Sequence, residues 1–166
     1  MLKIMDKNNF FIKTQIESNI NDVENLLSTG VFSAEILRSF QEPVFVSIIL
    51  KLDDLLQKLR ILDERISFTD DIDSGDITDL VNNIRNAICH LNSPENMLDK
   101  EKQIKFVFNI SVGRANIMQI GKTVVKSDYD DDIAFFFGEN RVYLKRHIAR
   151  ILKETRIIYQ KLYPDA

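Results

Sequence analysis

The sequence predicts a mainly α fold, in which a bundle of about four helices carries a small antiparallel β insertion before the last helix. Apolar residues recur at helical spacing over most of the chain, and the period drops to two only within about residues 103–143. A length of 166 residues with 45% hydrophobic residues suits one globular domain, so we expect a single domain over residues 1–166.

Two helices are predicted in the N-terminal half. The first covers about residues 15–27 and ends at the stop signal of residues 28–30, Ser-Thr-Gly. The second begins after Ser33, takes Pro43 as a kink or as the first turn of a new helix, and continues along an apolar stripe to Ile66.

The third predicted helix follows an acidic loop over residues 69–79, which has five aspartates and no basic residue. Ser74 or Asp76 is the candidate N-cap. The apolar residues between Ile77 and Leu91 lie within an arc of about 120° at 100° per residue, which is typical of an amphipathic helix. We expect this helix to stop near residues 92–94.

The β insertion and the last helix complete the chain. A period of two predicts a strand over 104–110, where large apolar residues at 104, 106, 108 and 110 alternate with Lys105, Val107 and Asn109. Shorter strand-like runs at 116–120, 123–125, 133–137 and 141–143, with a turn at 138–140, favour a small antiparallel sheet or a pair of hairpins. Helical spacing returns at Leu144 and continues to Pro164.

Charge is segregated along the chain. The total of -3 argues against a protein that coats nucleic acid by positive charge alone. The first 140 residues carry a net charge of -8, whereas residues 141–166 hold seven basic and two acidic groups, a net of +5. Arg146, Arg150 and Lys153 share one line of the last helix, and they form either a track for an RNA backbone or a solvated helix face.

Cysteine content and hydropathy bear on the compartment. Cys89 is the single cysteine, so no internal disulfide can form. The longest apolar run, residues 44–50, is far shorter than the roughly 20 residues that span a bilayer, and the N-terminus lacks a signal-peptide core. We therefore expect a cytoplasmic protein with no membrane partner.

The densest polar signal is the sequence Arg-Asn-Ala-Ile-Cys-His at residues 85–90, near the end of the third predicted helix. No carboxylate occurs between Asp79 and Glu95. Arg85 can grip phosphoryl oxygens and stabilise a phosphorane-like transition state, while His90 can take a proton from a ribose 2′-hydroxyl or give one to the leaving 5′-oxygen. Such a site needs no metal, but solvation of a polar helix face also accounts for these residues.

The two side chains point about 140° apart on one helix, so they do not converge readily on one phosphate. A two-fold homodimer that packs this helix against its copy would bring both pairs into one cleft.

Residues 85–90 resemble the R-x4-6-H motif of HEPN domains, in the form with a polar residue directly after the Arg. The resemblance implies a HEPN-like helical bundle and a metal-independent endoribonuclease, a toxin or phage-defence effector that acts as a homodimer, with an antitoxin protein as a possible partner. It assigns catalysis to Arg85 and His90 and a supporting hydrogen bond to Asn86. Toxins of this family that are silenced by nucleotidylation carry a Tyr two residues after the motif His, where this chain has Asn92.

Two alternatives stay open. One is a non-catalytic HEPN-like module that binds a nucleotide, an RNA or a cognate protein. The other is a Mg²⁺ site at the acidic run of residues 128–132, which we interpret as an acidic loop, so that no metal and no cofactor is expected.

Overall fold

The computed structural model describes residues 10–90, 97–99, 104–105, 107–120 and 123–164, and the description that follows is confined to them. The α-helices are α1 (Phe10–Ser28), α2 (Arg38–Ile61), α3 (Ile77–Cys89) and α4 (Arg150–Leu162). A 3-10 turn, Glu35–Leu37, precedes α2, and a π-helical segment, Leu144–Ala149, leads into α4. The strands are β1 (Met97–Asp99), β2 (Ile104–Lys105), β3 (Phe108–Val112), β4 (Ala115–Ile120), β5 (Thr123–Ser127), β6 (Ile133–Phe137) and β7 (Asn140–Tyr143).

The strands pair only with antiparallel neighbours. β3, β6 and β7 form a sheet in the order β3-β6-β7, and β4 pairs with β5 as a hairpin. β1 and β2 form a small separate ladder. In the larger sheet Ile110 lies opposite Phe135, and Phe136 lies opposite Arg141. The central strand β6 therefore has hydrogen-bonded neighbours on both sides.

The prediction of a mainly α bundle with a small β insertion is wrong, because the protein is a mixed α/β fold. Every residue of β6 is buried, and Ile133, Phe135 and Phe137 belong to the same hydrophobic core as the helices. The ring of Phe135 stacks on that of Phe45 from α2, with 4.9 Å between their centroids. The sheet is thus a layer of the core and not an appendage to a bundle.

The opposite face of β6 is covered by the β4-β5 hairpin. Ala134 and Phe136 pack with Tyr143 and with Val125 of β5 in a second, smaller hydrophobic cluster. The architecture is therefore three layers, with the helices on one side of the β3-β6-β7 sheet and the hairpin on the other. A run of five apolar residues without alternation is typical of a strand that is buried on both faces.

The boundaries of the N-terminal helices differ from those predicted at two ends. α1 begins at Phe10, ahead of the predicted start at residue 15, and it ends as predicted before Gly30, whose φ of 67° is the left-handed conformation that favours glycine. Pro43 lies inside α2. That helix ends at Ile61, short of Ile66, because Asp63 adopts a left-handed φ of 63° and turns the chain.

The later boundaries depend on local hydrogen bonds. Asp76 is the N-cap of α3, as one of the two candidates predicted, and it forms a capping box with Asp79. α3 ends at Cys89, and the predicted stop at 92–94 lies outside the described residues. The single strand predicted over 104–110 is divided into β2 and β3. The predicted strand over 133–137 is confirmed with the same bounds.

A buried carboxylate joins the start of β6 to the start of the last helix. The Asp132 side chain is 0% exposed. It accepts the backbone N–H groups of Lys145 at 2.8 Å and Arg146 at 3.1 Å, and also the Arg146 guanidinium at 2.9 Å. Asp132 therefore binds the helix N-terminus, where backbone N–H groups lack partners within the helix.

Asp132→Ala is expected to lower the free energy of unfolding by about 3 kcal/mol, because it leaves buried N–H groups and the Arg146 guanidinium without their acceptor. Urea unfolding followed by circular dichroism measures the change. Asp130→Ala is the matched control, since the Asp130 side chain is 80% exposed and its removal should cost less than about 0.5 kcal/mol. Equal effects of the two substitutions would contradict the anchoring role of Asp132.

Candidate functional site

The helix that carries Arg85, Asn86 and His90 is held firmly at its N-terminus. The Arg65 guanidinium donates to the Asp76 carboxylate at 2.8 Å, and the Thr78 hydroxyl donates to the carbonyl of Ile66 at 2.7 Å. The apolar residues of α3, from Ile77 to Ala87, are buried against the core. These contacts fix which sides of α3 face its neighbours.

On the side of α3 that faces α2, three hydrogen bonds and one longer ion-pair contact join four side chains in a ring, which we call the Asp53 ring. Asn82 Nδ2 donates to Asp53 Oδ1 at 3.2 Å, and Asn86 Nδ2 donates to Asn82 Oδ1 at 3.2 Å. Arg85 Nη1 donates to Asn86 Oδ1 at 3.1 Å, and Arg85 Nε lies 3.8 Å from Asp53 Oδ2. The Arg85 side chain is 39% exposed, so its guanidinium is both oriented and accessible.

Asp53 is a member of this ring that the sequence did not reveal. The stretch around Arg85 has no carboxylate of its own, but α2 supplies one from a distant part of the chain. The Asp53 side chain is only 13% exposed, and it lies next to the apolar residue Leu52 on a long amphipathic helix. An acidic residue at the edge of an apolar stripe is the sequence signal for such a partner, because carboxylates are rarely buried unless they are paired.

His90 comes directly after the helix that carries three residues of this ring. It is the C-cap residue of α3, its side chain is exposed, and its backbone N–H donates to the carbonyl of Asn86 at 3.0 Å. As the C-cap, His90 has the extended dihedrals φ −126° and ψ 92°, so the spacing of 100° per residue within a helix does not give the direction of its side chain. The structure thus brings Arg85 and Asn86 together and places His90 directly after the last residue of α3.

Arg146, at the start of the last helix, is engaged within the protein. Its guanidinium pairs with Asp131 at 3.0 Å and Asp132 at 2.9 Å, and it lies 3.5 Å from the ring centroid of Tyr129. A phosphate group that binds Arg146 would have to compete with these two carboxylates for its guanidinium.

Arg150 is engaged in the same way. Arg150 pairs with Asp70 and with Glu154, each at 2.8 Å, and its guanidinium lies 3.8 Å from the ring centroid of Phe68. Lys153 is exposed on α4. The positive charge that the sequence concentrates in the last helix is therefore largely matched by acidic residues from other segments.

The acidic run of residues 128–132 supplies partners to basic side chains. Asp128 pairs with Lys126 and with Arg141, each at 2.7 Å, and the hydrogen bonds from these two groups lower the pKa of its carboxyl. In the part of the chain that the structure describes, no group of three His, Cys, Asp or Glu side chains is arranged to hold a metal ion. The geometry of this loop is that of an ion-paired acidic segment.

The second histidine, His147, is fully buried. The backbone N–H of Tyr143 donates to Nδ1 at 3.1 Å, so the neutral ring carries its proton on Nε2, which donates to the carbonyl of Asp70 at 2.9 Å. Burial lowers the pKa of His147. Its spacing of four residues from the buried Ile151 is the sequence signal that places it on the apolar side of the last helix.

A cleft of about 520 Å³ lies on another side of α3, and we call it the α3 cleft. The loop before α3, α3 itself, β5, β6 and the turn into β7 all contribute to its wall. Leu80, Val125 and Phe136 supply buried apolar surface, and Asn83 and Arg141 supply polar groups. No sequence motif marks it, because its residues come from separate segments.

The lowered pKa of His147 predicts that stability falls in acid. The unfolded chain binds a proton at this residue below about pH 6.5, whereas the folded protein does so only at lower pH. The free energy of unfolding should therefore be fully retained above pH 6.5 and decline as the pH falls below it. Urea midpoints measured between pH 7.5 and 5.5 test this.

His147→Gln should weaken this pH dependence, since the titrating group is removed. An unchanged dependence in His147→Gln would contradict the assignment.

No family model, curated protein or solved structure matches this chain. No helix within the described ranges is long and apolar enough to cross a membrane.

Proposed function

We propose that the protein is a metal-independent endoribonuclease, a toxin or defence effector that acts in the cytoplasm. The observation that carries the proposal is the Asp53 ring, in which Asn86 and Asp53 hold the accessible Arg85 guanidinium on the helix that ends at the exposed His90. The resemblance of residues 85–90 to the HEPN motif supports the same assignment of residues. This resemblance is one of motif and chemistry, since the fold is mixed α/β.

The reaction is attack of a ribose 2′-oxygen on the adjacent phosphorus. A neutral His90 takes the 2′-hydroxyl proton. A protonated His90 gives a proton to the 5′-oxygen as the bond between that oxygen and phosphorus breaks. The products are a 2′,3′-cyclic phosphate and a 5′-hydroxyl. Arg85 keeps N–H groups beyond those bound to Asn86 and Asp53, and these stabilise the negative charge on the phosphoryl oxygens in the transition state.

A homodimer is part of the proposal, because the resemblance of residues 85–90 to the HEPN motif implies a site shared by two subunits. Two-fold packing over the polar side of α2 and α3 would set the Arg85 of one subunit near the His90 of the other. Leu50 supports this choice of surface. It is 40% exposed and lies on the same side of α2 as Asp53.

Purified protein in excess chelator should cleave RNA, and Arg85→Ala and His90→Ala should each lower the cleavage rate by about 100-fold or more. Gel analysis of a labelled single-stranded RNA measures the rates. Arg114→Ala is the control, since the Arg114 side chain is 65% exposed and belongs to the β3-β4 turn. Equal rates in all variants would exclude the catalytic roles, and loss of activity in chelator would exclude a metal-independent reaction.

Leu50→Glu should convert the dimer to a monomer and reduce cleavage, because it places a carboxylate in the apolar part of the proposed interface. Light scattering gives the mass, and the cleavage assay gives the activity. Ile157→Glu is the matched control, since Ile157 is 58% exposed on α4, and it should stay dimeric and active. A parent protein that is monomeric and still cleaves RNA would refute the composite site.

A second candidate function is a non-catalytic binding module. The internal ion pairs of Arg146 and Arg150 and the presence of the α3 cleft favour it. It predicts RNA or nucleotide binding without cleavage in the same assay.

A further inference from the structure

The α3 cleft has the size and composition of a binding site for a small organic group. Its volume of about 520 Å³ lies within the range of ligand sites, roughly 300–1,000 Å³. Val124 in the wall of the cleft is 46% exposed and offers apolar surface, whereas Leu80, Val125 and Phe136 are only 6%, 7% and 3% exposed and add a little more. A flat, weakly polar group gains from contact with such a surface.

The polar groups of the cleft include two carboxamides. Asn83 is exposed on α3, and Asn140 begins β7, where its Nδ2 donates to the carbonyl of Phe137 at 3.4 Å. The Ser74 hydroxyl lies on the loop side. Each carboxamide has both a donor and an acceptor, which is the combination that the edge of a nucleobase requires.

The charges around the cleft disfavour a phosphate. Lys126 and Arg141 line it, but both are bound to Asp128 at 2.7 Å. Asp73 and Glu139 also line it. Together with Asp128 they make three carboxylates at or next to the cleft, compared with two cations. An uncharged ring therefore fits this site better than an anionic ligand does.

His90 follows the helix that forms one wall of the cleft. It comes seven residues after Asn83, which corresponds to about 10 Å along the axis of α3 at 1.5 Å per residue. A short single-stranded segment can span this distance, with one base in the cleft and its backbone near the helix end.

We propose that the α3 cleft binds an unpaired nucleobase of the RNA substrate, with Asn83 and Asn140 reading its edge. That this base belongs to the RNA substrate rests on the proposed ribonuclease function. That the cleft binds a base depends only on the residues of the cleft. Proteins that recognise RNA sequence commonly hold single-stranded bases in this way, by contact with the ring and hydrogen bonds to its edge. The cleft would then select the base next to the cleaved phosphate.

The test is titration of the full chain with adenosine, guanosine, cytidine and uridine, and with their 5′-monophosphates, followed by amide chemical shifts. We expect at least one nucleoside to bind and its monophosphate to bind more weakly. Asn83→Ala should raise the Kd of that nucleoside about tenfold, the loss of one hydrogen bond. Asn25→Ala is the matched control, since Asn25 is likewise an exposed asparagine on a helix, in α1.

Failure of all four nucleosides to bind at millimolar concentration would overturn the proposal, and so would a Kd that Asn83→Ala leaves unchanged. Arg85→Ala and His90→Ala separate the two proposals, because they should abolish cleavage without changing the nucleoside Kd. Nucleoside binding by a protein that cleaves no RNA would support the cleft assignment and overturn the ribonuclease. Cleavage by a protein that binds no nucleoside would support the ribonuclease and overturn the cleft assignment.

Discussion

The strand β6 is buried on both faces, and the layers of the protein are arranged around it. Ile133, Phe135 and Phe137 pack against the helices, while Ala134 and Phe136 pack under the β4-β5 hairpin. If either covering layer were absent, large apolar side chains of this strand would face water, at a cost of roughly 1.5–3 kcal/mol for each one. The helices and the hairpin are therefore parts of one cooperative structure.

The polar contacts beside β6 determine which partners the basic side chains at the start of the last helix have. Asp132 at the start of β6 binds the N-terminus of the π-helical segment, and His147 accepts the backbone N–H of Tyr143 at the end of β7. These contacts bring Arg146 and Arg150 close to carboxylates. A basic segment that looks available for RNA in the sequence is thus engaged within the fold, and Lys153 remains exposed on α4.

Two different surfaces of α3 then carry the functional proposals. The side toward α2 holds Arg85 in the Asp53 ring, and the side toward the sheet forms the α3 cleft. One surface presents an oriented cation suited to a phosphate, while the other presents amides and carboxylates suited to an uncharged ring. An RNA chain offers both kinds of group along its length, so the two proposals are compatible with a single class of substrate.

Local signals in the sequence were sufficient to predict much of the secondary structure. The stop at Gly30, the cap at Asp76 and the strand over 133–137 depend on interactions within a few residues, which the order of amino acids determines. The sequence also singled out Arg85, Asn86 and His90, because their chemistry and their spacing can be recognised without the tertiary structure. The hydrogen bond between Arg85 and Asn86 joins neighbours in the sequence.

Only the tertiary structure decided the fold class, the carboxylate beside Arg85 and the cleft. Asp53 reaches Arg85 from another helix, Asp132 reaches the last helix from β6, and the cleft collects residues from separate segments. Burial of β6 between two layers likewise depends on which elements pack together. Such contacts arise from the free energy of the whole chain, in which distant apolar and charged groups find partners, and no local pattern specifies them.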